Sequence, residues 1–246
     1  MGASPSPPPP EFVFVHGGGS TARFWDRVLP LIDGPSLAVN LPGRADRPAD
    51  YAKVTVDDEV ASVVHDLSSH AGPIALVAHS SGGLVVPGVV RALRDRIERV
   101  VLNAALVPPE GGCAIDCLKP HQRDGLVAAV EDATRNGTAI TLPGAPDDPE
   151  QFRNAYGGDP LTDDELAFVT DPVRCVPDGV HHYFQPVHWS DIDVPVTYIL
   201  NERDRPIPPA TQETMIGRLP GTPTVVRMNG GHLPAVTDPK AFAALL

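Results

Sequence analysis

Ser80 lies in the run Ala78-His79-Ser80-Ser81-Gly82, directly after the apolar residues 74–77. A sharp turn between a buried strand and a helix would push this hydroxyl out of a sheet, and such a turn needs small residues two positions away on each side. Ala78 and Gly82 meet that requirement. The segment therefore predicts a nucleophilic serine at the N-terminus of a helix, and a helix-capping serine is the alternative interpretation.

A candidate general base follows much later in the chain. His232 lies in the glycine-rich segment 229–234, which comes after the apolar run 224–228. A histidine among glycines on a loop is poorly placed for core packing, and imidazole is the side chain most often used to move protons near neutral pH. We therefore predict that His232 is the base, with a surface-loop histidine as the alternative.

A carboxylate that could orient this histidine precedes it by about one helix and one strand. Asp204 lies in the loop after the apolar run 196–200, and Glu202 in the same loop is the alternative acid. A solvated ion pair with the two arginines beside Asp204 is the other interpretation. The order serine, aspartate, histidine is one of the arrangements in which a catalytic triad occurs.

A glycine-rich loop near the N-terminus offers backbone donors for a developing negative charge. His16-Gly17-Gly18-Gly19 follow the apolar run 12–15, and glycines allow the backbone to approach a ligand closely. We predict that the N–H groups of Gly18 and Ser81 form an oxyanion hole. The spacing of the glycines fits neither a dinucleotide-binding motif nor a phosphate-binding loop with lysine.

The apolar runs that precede these residues alternate with segments of helical periodicity, which predicts how the site is held. The pattern is that of an α/β fold with a mainly parallel, doubly wound sheet of about six strands covered on both faces. Helices are predicted over 21–32, over 81–94 with a bend at Pro87, and from Asp238 onwards.

The alternation is lost in a proline-rich middle segment. We interpret 107–190 as an inserted helical cap over the carboxyl edge of the sheet, and 11–106 with 191–246 as the core. Residues 1–10 are predicted to be a disordered, proline-rich lead-in. Six residues are the candidates for the substrate pocket: Gly17, Trp25, Leu106, His182, Trp189 and Leu233. A metal site in the histidine-rich stretch 181–189 is the less favoured alternative, because carboxylate or cysteine ligands are not suitably spaced.

The composition limits the classes of partner. A net charge of -12 argues against nucleic acid and anionic membranes, because phosphate-rich surfaces attract clustered lysine and arginine. The N-terminal residues lack the basic and apolar regions of a signal peptide, and three cysteines form no disulfide framework. We expect a cytoplasmic protein with a small-molecule substrate and with no metal or organic cofactor; a homodimer is an open alternative.

These motifs resemble those of the α/β-hydrolases over nearly the whole chain. The layout is most similar to the branch of plant methylesterases and hydroxynitrile lyases, which also begin almost directly at the glycine-loop strand. The resemblance implies that a lyase would carry threonine at Gly17 and lysine at Leu233, so ester hydrolysis is preferred. Haloalkane dehalogenases and epoxide hydrolases use aspartate where this chain has Ser80.

The most favoured function is therefore hydrolysis of a small, largely apolar carboxylic ester or lactone through an acyl-enzyme. Two alternatives stay open. One is a cofactor-free lyase or carbon–carbon hydrolase that uses the same residues, and the other is a non-catalytic receptor for a small ligand.

Overall fold

The structure is a computed structural model that describes residues 11–138 and 140–246. The strands in these residues are β1 (Glu11–Val15), β2 (Ser36–Val39), β3 (Ile74–His79), β4 (Ile97–Asn103), β5 (Thr141–Leu142), β6 (Asp178–Gly179), β7 (Val196–Asn201) and β8 (Thr224–Met228). The α-helices are α1 (Val56–Asp66), α2 (Val86–Ala92), α3 (Pro120–Arg135), α4 (Asp163–Thr170), α5 (Pro209–Ile216), α6 (Pro234–Thr237) and α7 (Pro239–Ala243).

Six strands form one parallel sheet in the order β2-β1-β3-β4-β7-β8. Its central strands β3 and β4 are mainly apolar and buried because both faces of the sheet are covered. In β1, for example, Val13 and Val15 pack into the core cluster on one face, whereas Phe14 packs into the cluster on the other. The predicted fold class, an α/β fold with a sheet of about six mainly parallel strands, is confirmed.

The predicted helix over 21–32 is wrong. The segment forms two short 3-10 helices, Ala22–Trp25 and Leu29–Leu31. Phe24 and Trp25 are neighbours in sequence and are both buried, with the Trp25 ring 5.0 Å from that of Phe14. Tight turns bring both rings inward, and this packing outweighs the weak helical periodicity of the segment.

The predicted helix over 81–94 is divided in two, and its predicted bend at Pro87 is wrong. A 3-10 helix, Ser80–Val85, leads directly into α2. Pro87 occupies the first turn of α2, where a backbone N–H has no partner within the helix, so the proline helps to start the helix. At the C-terminal end, the helix expected from Asp238 is preceded by a separate short helix, α6, and the Asp238 carboxylate caps α7.

We refer to residues 107–190 as the insertion. They carry α3, α4 and a two-stranded antiparallel ribbon of β5 and β6. The division into core and cap stays a prediction, and the predicted lead-in, 1–10, lies outside the described residues. No α-helix in the described part of the chain is long and apolar enough to cross a membrane.

Candidate active site

Ser80 lies on a strained turn at the carboxyl end of β3. Its φ of +52° falls in the left-handed region, which residues with a side chain seldom adopt. Gly82 lets this turn lie close to the glycine loop, because a Cβ at that position would stand 2.5 Å from the carbonyl oxygen of His16. The Leu106 N–H donates to the Ser80 carbonyl oxygen at 2.8 Å and holds the turn from the other side.

The hydroxyl of Ser80 is the first member of a chain of hydrogen bonds. Its Oγ lies 3.1 Å from Nε2 of His232, and Nδ1 of the same ring lies 2.7 Å from Oδ2 of Asp204. The other carboxylate oxygen of Asp204 accepts the Ile207 N–H at 2.8 Å. With its proton on Nδ1, the imidazole donates to Asp204 and leaves Nε2 free to accept from Ser80. The three residues predicted as a triad are thus brought together, and their catalytic role stays a prediction.

The main chain of His232 is fixed on both sides. Its N–H donates to the Tyr156 carbonyl oxygen at 2.8 Å, and its carbonyl oxygen accepts from Nε2 of His79 at 2.9 Å. His79 is buried and stacks on Phe24. Burial lowers the pKa of His79, and the nearby His232 lowers it further, so His79 is a neutral donor at ordinary pH.

Residues 156–158 of the insertion lie between the loops that carry Asp204 and His232; we call this the 156–158 contact. The Gly158 N–H donates to the Arg203 carbonyl oxygen at 3.0 Å, and the Arg205 N–H donates to that of Tyr156 at 3.4 Å. Gly157 pairs with Asp204 as an isolated antiparallel bridge and has a φ of +75°. The orientation of both predicted partners of Ser80 therefore depends on backbone from the insertion.

The alternative acid, Glu202, is not part of this chain of hydrogen bonds. Its side chain is 42% exposed and lies 3.7 Å from the guanidinium of Arg227. The other interpretation of Asp204, a solvated ion pair, is also wrong. Asp204 is buried, and the neighbouring Arg203 pairs instead with Asp159 at 2.8 Å.

The two predicted oxyanion donors border the turn at Ser80. Gly18 lines the cavity at Ser80, and within the described residues its N–H has no hydrogen-bond acceptor. Ser81 stands in the first turn of the 3-10 helix, where backbone N–H groups lack partners within the helix. Gly17 has to lack a side chain, because a Cβ there would lie 2.8 Å from the Cβ of Ser80. This geometry leaves two N–H groups available beside the hydroxyl.

A cavity of about 210 Å³ opens at Ser80 and His232. Its walls are mainly aromatic and apolar, and the insertion supplies several of them: Tyr156, Phe168, Val169, Arg174 and Cys175. Gly17 and Leu233, two of the predicted pocket residues, lie in its lining. Burial raises the pKa of the Cys175 thiol, so this side chain is an uncharged part of the wall.

The other four residues predicted for the pocket do not line this cavity. Trp25 lies in the core beneath the glycine loop, packed on Phe14, and Leu106 and Trp189 belong to the core on the opposite face of the sheet. His182 is buried beside Glu59, with Nδ1 3.8 Å from the Glu59 carboxylate. Apolar or aromatic character in a loop does not separate the wall of a cavity from the core, because both exclude water.

The histidine-rich stretch does not converge on a single point. His188 contacts Glu110 at 2.9 Å, His181 contacts Gln185 at 3.1 Å, and His182 faces Glu59. Among residues 11–138 and 140–246, no group of three or more histidine, cysteine or acidic side chains is arranged to hold a metal ion. The alternative of a metal site at 181–189 therefore has no geometric support in the part that the structure describes.

The sequence matches the model of the Alpha/beta hydrolase family over residues 12–245, so the chain belongs to that family. Methylesterase 7 of Arabidopsis thaliana is 25% identical to it over 96% of this chain and 94% of the relative. Esterase Rv0045c of Mycobacterium tuberculosis is 31% identical over 38% of this chain and 32% of its own length. The predicted resemblance to the methylesterase branch is confirmed, and these relatives support ester hydrolysis as the general activity.

Solved structures agree on the fold. An extracellular alpha/beta-hydrolase from a Paenibacillus species, described as similar in structure and function to Tobacco Salicylic Acid Binding Protein 2, has a TM-score of 0.79 and 24% identity. It is matched over 97% of its length and 96% of this chain. A pyrethroid hydrolase from Sphingobium faniae JZ-2 has a TM-score of 0.75 and 18% identity, with 95% of its length and 96% of this chain covered.

Sequence reasoning missed the residues of the insertion that reach the site. Tyr156 contributes a carbonyl oxygen, which any residue has, so its side chain carries no signal for the role. The adjacent pair Gly157-Gly158 is the one signal available, since two glycines in a row favour positive φ and close backbone contact. Asp178, whose carboxylate accepts the Gly19 N–H at 2.9 Å, could not be linked to the glycine loop by spacing.

Proposed function

We propose that this protein hydrolyses small, neutral carboxylic esters or lactones, with Ser80 as nucleophile. The observation that carries the proposal is the continuous path from the Ser80 hydroxyl through His232 to the buried carboxylate of Asp204. A hydroxyl, an imidazole and an orienting carboxylate in hydrogen-bond contact are the parts that activate a serine.

In the proposed reaction, Nε2 of His232 accepts the proton of Ser80 while Oγ attacks the carbonyl carbon of the ester. The carbonyl oxygen becomes an oxyanion, which the N–H groups of Gly18 and Ser81 stabilise, each by roughly two to three orders of magnitude in rate. The imidazolium then returns its proton to the departing alcohol. Water, deprotonated by His232, cleaves the acyl-enzyme to release the acid and regenerate Ser80.

The cavity at Ser80 supports a substrate that is small, largely apolar and uncharged. A volume of about 210 Å³ suits a short acyl or aryl group. Of the residues that line it in the described part of the chain, only Arg174 is permanently positive. Its guanidinium pairs with Asp26 and Asp171 and lies over the Phe168 ring, so it is not free to bind a substrate carboxylate.

The charges around the cavity also help to decide between the esterase and the lyase alternative. A cyanide leaving group needs a cation near the general base, and position 233, beside His232, is leucine. With Arg174 already paired twice, the described residues of the lining offer no uncompensated positive side chain to that leaving group. Ester hydrolysis needs only the neutral alcohol to depart, and this favours the esterase over the lyase.

Replacement of Ser80 by alanine tests the proposal. We expect Ser80→Ala to lower kcat/KM for p-nitrophenyl butyrate by at least about a thousandfold, because the nucleophile is lost while the donors of the oxyanion hole remain. The control is Ser69→Ala, which removes an exposed hydroxyl before β3, at the opposite edge of the sheet. Equal rates for the two variants would reject Ser80 as nucleophile.

Product analysis separates the alternatives in the same assay. An ester hydrolase gives equal amounts of acid and alcohol, and the acyl group appears as a transient mass increase on Ser80. A wild-type protein that binds the ester tightly without releasing acid would support a receptor and contradict the proposal.

A further inference from the structure

A buried ion pair lies behind the glycine loop, outside the proposed path of proton transfer. The Arg44 guanidinium contacts the Asp178 carboxylate, and their side chains are 2% and 1% exposed. Asp178 belongs to the insertion, and its Oδ2 accepts the Gly19 N–H at 2.9 Å. The Val176 N–H donates to the Gly19 carbonyl oxygen at 2.9 Å, so both backbone polar groups of Gly19 are held by the insertion.

This carboxylate stands directly against the residue that we propose as an oxyanion donor. A Cβ built on Gly18 would lie 2.8 Å from Oδ2 of Asp178 and 2.5 Å from the hydroxyl of Tyr183. A negative charge in this place has two opposite effects. It fixes the loop through Gly19, and it would repel the negative charge that develops on a substrate carbonyl oxygen.

Arg44 is the group that cancels the charge of Asp178. The other titratable groups nearby are neutral at pH 7: burial lowers the pKa values of His16 and His182 to about 4, and burial with the nearby Asp178 raises that of Glu59 to about 8. The cluster therefore holds one positive and one negative charge. Removal of the arginine alone would leave a net negative charge beside the loop.

We propose that Asp178 and Arg44 are positioning residues of the oxyanion hole, which Asp178 orders through Gly19 while Arg44 neutralises its charge. The inference rests on the proposed function, because it requires an oxyanion at the Gly18 N–H. A purely structural ion pair would affect the reaction only through loss of its contact. Here the net charge left behind Gly18 also changes the energy of the transition state.

The test compares Arg44→Gln with the double variant Arg44→Gln/Asp178→Asn at pH 7, where Glu59 is still mostly protonated. Arg44→Gln leaves the carboxylate unpaired, whereas the double variant replaces both charges by amides that keep hydrogen-bonding atoms. We expect Arg44→Gln to lower kcat for p-nitrophenyl butyrate about a hundredfold with little change in KM, as an uncompensated charge at a few ångströms implies. The double variant should stay within about tenfold of wild type.

Binding of a transition-state analogue gives a readout that a structural role would not change. Trifluoroacetophenone adds to a reactive serine and forms a tetrahedral oxyanion, so its affinity should fall in Arg44→Gln in parallel with kcat and recover in the double variant. The matched control is Arg47→Gln, which removes the Arg47–Asp66 ion pair between the loop after β2 and α1. We expect its kcat to change less than threefold.

Arg44→Lys covers the case in which Arg44→Gln fails to fold. It keeps the charge balance and should retain kcat within about tenfold of wild type, as should the double variant. Loss of a hundredfold or more in either folded variant, or equal kcat in Arg44→Gln and wild type, would overturn the inference. Ser80-dependent turnover in wild type separates these results from failure of the proposed function, since absence of that turnover overturns both.

Discussion

The insertion reaches the candidate active site through two contacts that differ in kind. The 156–158 contact holds the loops of Asp204 and His232 by main-chain hydrogen bonds and an isolated backbone bridge. The second, which we call the 173–178 contact, holds the glycine loop. It also uses backbone, as in the bond from Val176 to Gly19, but its buried part is the Arg44–Asp178 ion pair.

The difference indicates what each loop has to do. The imidazole must keep one orientation relative to Ser80 and Asp204, and backbone hydrogen bonds give fixed geometry without adding a charge beside the base. The glycine loop must present N–H groups to a developing anion, so the charges behind it affect the reaction directly. We therefore expect the first contact to be sensitive to shape and the second to be sensitive to charge and pH.

Gly157→Ala should break the 156–158 contact and have the largest effect of the variants in the insertion. Its φ of +75° disfavours a side chain, and a Cβ would lie 2.0 Å from the Arg203 carbonyl oxygen, so the backbone must move. We expect kcat to fall at least about a hundredfold, the cost of displacing a catalytic group by about 1 Å. Steady-state kinetics with p-nitrophenyl butyrate measures the change.

Gly221→Ala is the matched control for that variant. Gly221 has a φ of +70°, but within the described residues no atom beyond its two chain neighbours lies within 4 Å of a Cβ placed on it. The substitution therefore carries the backbone strain, about 1 kcal/mol, without the collision. If the two alanine variants had the same kcat, the 156–158 contact would not position the site.

Glu59→Gln tests whether the buried charge cluster makes the free energy of unfolding depend on pH. Burial raises the pKa of Glu59 from its ordinary value of 4.5 to about 8 in the folded protein, and the nearby Asp178 adds to the shift. Between these values the unfolded chain releases a proton that the folded chain keeps, so the free energy of unfolding falls as the pH rises. Glutamine removes this dependence.

We expect urea denaturation to give similar free energies of unfolding for wild type and Glu59→Gln at pH 5. At pH 8 the variant should be more stable, by at most about 4 to 5 kcal/mol, since one pKa unit corresponds to about 1.4 kcal/mol. The control is Glu98→Gln, which changes an exposed carboxylate in β4. If the free energies of unfolding of wild type and Glu59→Gln differed by the same amount at both pH values, the proton on Glu59 would not be linked to folding.

Tyr156→Phe should have the smallest effect on kcat. It separates the role of the Tyr156 backbone carbonyl from that of its side chain. His232 bonds to the carbonyl oxygen of Tyr156, which phenylalanine keeps. Burial raises the pKa of the Tyr156 phenol to about 12, so the hydroxyl is neutral and supplies no charge to the cavity. We expect kcat to change less than about threefold, whereas a loss as large as that of Gly157→Ala would assign the role to the side chain.

The core and the residues on its strand ends were the predictable part of the molecule. β3 and the residues around Ser80 have strong local requirements, since a buried strand must be apolar and a strained turn needs small neighbours. Asp204 and His232 follow β7 and β8, and strands of one parallel sheet end at the same edge. Local pattern and topology together bring the three residues to one place.

The insertion was less predictable because its roles depend on contacts between distant residues. Trp189 and His182 have side chains that suit a pocket wall, yet both are buried away from the cavity. Tyr156 acts through a carbonyl oxygen. Asp178 contacts Arg44 and Gly19, which are both more than a hundred residues away in the sequence. Neither periodicity nor composition predicts which residues, distant in sequence, a loop will contact.

Labelling of Ser80 by a fluorophosphonate tests the central claim most directly, because it measures activation of the hydroxyl without requiring the natural substrate. Intact-mass spectrometry should show one adduct per wild-type chain, mapped by peptide analysis to Ser80. Asp204→Asn should react on the order of a thousandfold or more slowly, because the imidazole loses the partner that sets its tautomer. A wild-type protein that stays unlabelled at Ser80, or that reacts no faster than Asp204→Asn, would contradict the account.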